Sequence, residues 1–485
     1  MHTSLLTRVA PAAVIGVIVV MVAAGAGVVL GSLSSGTALM LPLVAVGGIA
    51  LGTLALVRFE WFVLAVLFVR SALDSTKPSG SGSATTRGLD PAAALAVLFM
   101  VVALVHFAAS RRVRSLESTE APGRPLPRIR RSPIRRPLVA FMIAGLISVI
   151  GSAKPSISLY EVLRVTAVVA MLLVLERLLT DEGRIRRVLV AAFASAVIPI
   201  LYAGIQAARH GGVSIGGFSR IQGTFDHPNP FATYLTFVII MGVALYKHLP
   251  SRTRFPMMLL VAGCSACLLL TYTRSAWIAT IAGLLIVGLF QSPRLVGTLL
   301  VLILLVAIAV PSVSHRFSDL QGSTRVSGAS ANSLVWRFSY WKQVASLADQ
   351  TPVTGIGLKM IEERTDSAKN AHNDFLRVYV ETGLLGLSAY VALLVGLART
   401  ARRALKTARP GLHRGIAVGF SACLAAFILL SVVSNVISQV VLLWYFVVFA
   451  AAAFAVTRID SAMGGDHRLI GPADPALAPP EKSLV

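Results

Sequence analysis

The sequence predicts an all-α membrane protein, a polytopic bundle of roughly 12–14 transmembrane helices with one large extracytoplasmic loop. Three observations predict it. Of 485 residues, 56% are hydrophobic and only 13% charged, against about 45–50% and about 25% in an average soluble domain. Apolar runs of about 20 residues, the length that crosses a bilayer, make up most of the chain. The excess positive charge, a formal +23, is gathered between those runs.

The runs are read at residues 11–31, 37–57, 59–72, 90–110, 137–152, 157–178, 187–208, 229–247, 255–273, 275–291, 294–312, 376–398, 414–433 and 437–456. Arg111, Arg112, Arg114, Arg124, Arg128, Arg130, Arg131, Arg135 and Arg136 share one connection. Further clusters are Arg184, Arg186 and Arg187; Lys247, Arg252 and Arg254; and Arg399, Arg402, Arg403, Lys406, Arg409 and Arg414. Cytoplasmic loops collect Lys and Arg. With 111–136 set inside, counting spans brings 177–187, 247–254 and 399–414 inside as well. Both termini are then expected on the cytoplasmic side of a bacterial inner membrane. Topology and contact with anionic lipid heads account for the charge, and no nucleic-acid partner is called for.

On this reading 1–208 forms N-terminal spans, 209–398 a central region with the loop 313–375, and 399–457 the C-terminal spans. The Pro- and Ala-rich tail 458–485 is expected to be disordered. The first run is too long for a cleaved signal peptide and reads as a span. Cys264, Cys267 and Cys423 lie inside apolar runs. Their Cys-x-x-Cys spacing has no second Cys or His cluster beside it, so it reads as packing. No Asp/Glu cluster of the kind that holds Mg²⁺ beside phosphates is recognised.

The same count turns 209–228, 273–275 and 313–375 outward. Long loops of this kind are usually lids or binding elements. Three constellations fall on that face. One is Arg220-Ile-Gln-Gly-Thr-Phe-Asp-His-Pro-Asn-Pro-Phe231. The next is Thr271-Tyr-Thr273-Arg274-Ser275-Ala-Trp277. The last is Pro352-Val-Thr-Gly355-Ile-Gly357, then Ala371-His372-Asn373-Asp374-Phe375, then Glu381-Thr-Gly383-Leu-Leu-Gly386.

These stretches, in this order over roughly 209–395, resemble the O-antigen ligase and O-antigen polymerase family of membrane glycosyltransferases. The resemblance implies a GT-C-like fold without a cofactor or metal. It also implies transfer of a glycan from a polyprenyl diphosphate carrier to a glycan, lipid or protein hydroxyl on the outer face. The residue chemistry agrees. Guanidinium groups grip phosphate oxygens bidentately and keep their charge, so Arg220 and Arg274 suit the diphosphate. A neutral imidazole suits removal of a hydroxyl proton, so His372 is the expected catalytic base, with Asn373 or Asp374 orienting its ring and Arg337 in support.

Each residue also has a plainer role. An arginine at a span end snorkels to lipid phosphate. His227 precedes a helix as a turn residue, with Asn229 as its cap. Gly355 and Gly357 read as turn glycines. Glu161 and Arg164, one turn apart, form either a buried helix pair or part of the site. A transporter of a small solute or a lipid-linked saccharide is the alternative function. Its usual inverted repeats are not evident in the sequence.

Overall fold

A computed structural model describes residues 40–73, 91–120, 131–215, 218–294, 296–298, 333–365 and 370–469. The run at 11–31, most of that at 294–312, the loop stretch 313–332 and the chain beyond Leu469 lie outside the described residues.

The first helices are α1 (Met40–Val57), α2 (Phe59–Arg70), α3 (Pro91–Glu120), α4 (Arg135–Ser148), α5 (Pro155–Leu178), α6 (Glu182–Ala194) and α7 (Val197–Ala208). A two-stranded antiparallel hairpin follows, β1 (Val213–Ile215) and β2 (Phe218–Arg220), with Val213 opposite Arg220. Then come α8 (Pro228–Tyr246), α9 (Ser251–Leu270), α10 (Arg274–Gln291), α11 (Ser333–Ser346) and the short α12 (Met360–Arg364). The chain closes with α13 (Asp374–Thr407), α14 (Leu412–Val433) and α15 (Val440–Leu469).

The all-α architecture predicted from composition is present. Among the described residues, 9 helical stretches are long and apolar enough to cross a membrane, with α6 and α7 counted together. Several expected elements differ in detail. The run at 187–208 is two helices that meet at Ser195 and Ala196. The runs at 59–72 and 137–152 form helices of 12 and 14 residues, below the roughly 17 needed to span. The hairpin was not expected, and α15 continues to Leu469, past the boundary at 457. That extension is anchored: Arg458 donates to the Glu176 and Leu179 carbonyls, and Asp460 takes Arg409 and His413.

The buried centre is aromatic. Phe446 on α15 stacks on Phe427 at 4.5 Å between centroids and also meets Phe237 and Phe420. Residues of α8, and of α15 from Val440 to Asp460, are almost wholly buried. Leu104, Leu201, Phe255, Leu259 and Leu289 point outward, the expected surface for a bundle solvated by lipid.

Contacts fix the helix directions. A Cβ on Gly415, near the start of α14, would lie 2.7 Å from His248, just past the end of α8. Thr236 and Thr280 hydroxyls meet at 2.9 Å, each about two turns into α8 and α10. Lys247 Nζ donates to the Gln291 carbonyl. So α8 and α10 run parallel, and α14 returns against them. One end of the bundle thereby gathers the basic clusters: the Ser132 N–H bonds Glu176, Arg187 bonds Glu60, and Arg409 bonds Asp460. The opposite end carries all three motif stretches.

Candidate active site

The third motif builds a joint. Gly383 interrupts α13 with φ 65° and ψ −165°. A break strands carbonyls before it and N–H groups after it, and at membrane depth these need protein partners. The Pro352–Gly357 loop supplies them. Ile356 and Gly357 N–H donate to the Val380 and Glu381 carbonyls, both at 3.0 Å. Leu384 and Leu385 N–H donate to the Pro352 and Val353 carbonyls at 2.9 and 3.2 Å. The approach leaves no room for side chains. A Cβ on Gly383 would lie 2.1 Å from the Val353 oxygen, and one on Gly355 would lie 2.4 Å from the Glu381 carbonyl carbon. These glycines therefore serve one backbone-to-backbone contact rather than separate turns. One turn before the break, Arg377 Nε bonds Glu381 at 2.9 Å, both buried.

The chain reaches α13 through Ala371-His372-Asn373. His372 is half-buried and has φ 52°, a left-handed conformation that is rare outside glycine. Such strain persists only where the surroundings over-determine it, and here they do. Trp341 Nε1 on α11 donates to the Ala371 carbonyl at 2.6 Å. The His372 N–H donates to Asn435 Oδ1 at 2.8 Å, and Asn435 Nδ2 lies 3.1 Å from His372 Nδ1. Asn373 caps α13 by accepting from the Leu376 N–H at 3.1 Å. Asp374 is fully buried and accepts from the Val436 and Ile437 N–H groups. The expectation that Asn373 or Asp374 orients the ring is therefore corrected. Both carboxamide and carboxylate are engaged by backbone, and the residue at the ring is Asn435, in the turn between α14 and α15.

That turn is clamped from several sides. Arg337 Nη1 donates to the Val433 carbonyl at 3.0 Å, a cation at the C-terminus of α14. Burial pulls the Arg337 guanidinium below its ordinary pKa. Arg164 Nη2 donates to the Ser438 carbonyl at 3.2 Å and pairs with Glu161 at 2.7 Å. The Glu161–Arg164 pair is thus a helix pair that also holds the turn between α14 and α15.

The first two motifs converge on Arg220. Its side chain is buried at the end of β2. Nε donates to the Thr271 carbonyl at 2.7 Å, and Nη2 donates to Asn229 Oδ1 and Thr273 Oγ1, each at 2.9 Å. Arg274, half-buried, is the first residue of α10, directly after Thr273. Tyr272 beside it also has a left-handed φ, 49°. His227, rather than Asn229, is the cap of α8: its Nδ1 accepts from the Asn229 N–H at 3.1 Å. Burial, reinforced by the charge of Arg220, holds the His227 pKa below its ordinary value.

Arg220 with Arg274 and His372 with Asn435 are two groups at the same end of the bundle; all but Asn435 are motif residues. Residues 258–391 match the family model described as O-Antigen ligase. The match spans 134 of the 485 residues, so that segment is similar to the O-antigen ligase family. With its apolar helices, the chain is a multi-pass membrane protein that carries an O-antigen ligase-like segment. No curated protein matches the chain. The O-antigen ligase segment contains Arg274, His372 and the Gly355–Gly383 joint. Arg220 and Asn435 lie outside it and are joined to it by hydrogen bonds to Thr273 and His372. Sequence reading missed Asn435, Trp341 and the role of Thr273. Nothing in Ser-Asn-Val-Ile-Ser-Gln between two apolar runs marked Asn435 out.

Proposed function

We propose that this chain transfers a glycan from a polyprenyl diphosphate carrier to an acceptor hydroxyl on the extracytoplasmic face of a bacterial inner membrane. The anomeric carbon–oxygen bond to the diphosphate breaks, and a bond to the acceptor oxygen forms. The proton of the hydroxyl is balanced by the released lipid diphosphate or solvent. Arg220 and Arg274 hold the diphosphate, and His372 is the catalytic residue at the reacting oxygens.

The observation that carries this reading is the Arg220–Thr273–Arg274 arrangement at the N-terminus of α10. A helix N-terminus favours anions and disfavours cations. Arg274 in its first turn is therefore an arrangement that an anionic ligand stabilises. Leaving-group charge grows in the transition state, so fixed cations there favour reaction over mere binding. The basic clusters at the opposite end support this orientation, because cytoplasmic loops collect Lys and Arg.

The test is purified protein in nanodiscs with a polyprenyl-diphosphate-linked glycan, an acceptor, and analysis of the product linkage. Transfer with inversion at the anomeric carbon is expected, together with loss of transfer in Arg274→Ala. Movement of a solute across sealed vesicles with no sugar transferred would overturn the proposal. Product length separates joining of a finished chain from stepwise polymerisation.

A further inference from the structure

We propose that Asn435 is a positioning residue that holds His372 as the neutral tautomer with its hydrogen on Nε2, so that the ring meets a ligand oxygen as a hydrogen-bond donor. The inference rests on the reading of His372 as a site residue, and it replaces the base expected from sequence by a donor.

Hydrogen-bond direction fixes the tautomer. A backbone N–H can only donate. The His372 N–H lies 2.8 Å from one end of the Asn435 carboxamide, so that end is Oδ1. The other end is then the amide nitrogen, which carries only hydrogens. It faces His372 Nδ1 at 3.1 Å. Nδ1 must accept, so its lone pair is used there, and in a neutral ring the hydrogen sits on Nε2. A base acting through Nε2 would need the hydrogen on Nδ1, set against the Asn435 N–H. An imidazolium would set the same two donors against each other. Asn435 cannot rotate its amide to relieve this without breaking the bond to the strained His372 backbone. The turn that carries it is fixed by Asp374, Arg164 and Arg337. The oxygen that Nε2–H serves is one on the diphosphate–sugar end of the donor, where a donor hydrogen bond assists departure. No proton transfer is required of the ring.

Asn435→Asp reverses the arrangement with little change of shape. One carboxylate oxygen still accepts from the His372 N–H, and the other now accepts from Nδ1. The neutral ring then loses its Nε2 hydrogen, and the carboxylate favours the imidazolium to higher pH. The experiment has two arms. In ¹⁵N-histidine-labelled protein, with His372 assigned from the His372→Gln variant, the neutral wild-type ring should show the Nε2–H pattern and Asn435→Asp the Nδ1–H pattern or the cation. In the transfer assay, Asn435→Asp should lose at least about tenfold at pH 8–9. It should regain activity on acidification, as the imidazolium restores the Nε2 hydrogen. His372→Gln, which keeps an N–H donor but cannot act as a base, should retain measurable transfer. A wild-type Nδ1–H tautomer overturns the proposal. So does an Asn435→Asp enzyme that is active at high pH and fails in acid. The tautomer arm reads without turnover, so failure of the proposed function and failure of this inference are distinguishable.

Discussion

Arg220 reaches Thr273 from the end of β2 to the residue before α10, donating through Nη2 at 2.9 Å, and the same nitrogen also meets Asn229. One guanidinium thus ties the first motif to the second and sets the backbone from which Arg274 projects. Lysine cannot reproduce this planar, multiply donating geometry. Arg220→Lys is expected to lower the initial rate of glycan transfer at least about tenfold, the cost of losing a charged-group hydrogen bond in a dehydrated site. Thr273→Ser should stay near the wild-type rate, because it keeps the accepting hydroxyl, while Thr273→Val should lose several-fold. Inserted Arg220→Lys protein working at the wild-type rate would remove Arg220 from the site.

The Gly355–Gly383 contact makes a second prediction. Both residues have positive φ, 77° and 65°, and both meet backbone closer than any Cβ tolerates. Neither neighbour is a flexible side chain that could swing away. Gly383→Ala and Gly355→Ala should each destabilise the protein by at least about 2 kcal/mol through backbone strain alone. Thermal unfolding in detergent measures this. Gly411→Ala provides the contrast, since its φ is 94° but no atom lies within 4 Å of the added Cβ, so strain acts there without a clash. Equal losses at all three positions would show that the close approach contributes nothing.

The helices were legible because apolar run length is a direct physical requirement of lipid. Motif residues were legible as residue types. Their partners were not. Gly355 and Gly383 were each visible as glycines, but the ladder between 352–357 and 380–385 is a pairing that no local pattern encodes. Asn435 lies 63 residues from His372 in sequence, and its neighbours look like any short connection between spans. The division of 187–208 at Ser195 was hidden because no glycine or proline marks the break itself. What stabilises it is tertiary: Ser195 meets the buried Tyr234 hydroxyl at 2.7 Å, and its carbonyl accepts from Ser71.

Topology is tested by labelling. Val353 is exposed at the motif end and Thr407 is exposed at the basic end. The native Cys264, Cys267 and Cys423 are all buried, which keeps background reaction low. An impermeant maleimide added to intact cells should modify Val353→Cys, while Thr407→Cys should react only after permeabilisation. The reverse pattern would turn the motif end to the cytoplasm and remove the proposed donor from reach.

His227 supplies a pH-dependent prediction. It caps α8 as an acceptor, which requires a neutral Nδ1, and burial together with nearby Arg220 opposes its protonation. In the unfolded chain its pKa is about 6.5, and in the folded protein it is lower. The unfolded state therefore binds the proton first as pH falls. The contribution to stability is complete above about pH 6.5 and is lost progressively on acidification toward the folded-state pKa. Protonation would also place a second cation beside Arg220 and break the bond to the Asn229 N–H, disturbing the residue on which Arg220 rests. The thermal midpoint and the transfer rate should both decline between about pH 7 and pH 5. Asparagine keeps a capping oxygen without titrating. Other histidines whose pKa is lowered by burial, such as His248, act equally in both proteins, so the difference isolates His227. The decline in the thermal midpoint should be shallower in His227→Asn; an identical slope in the two proteins would show that His227 does not titrate against the fold.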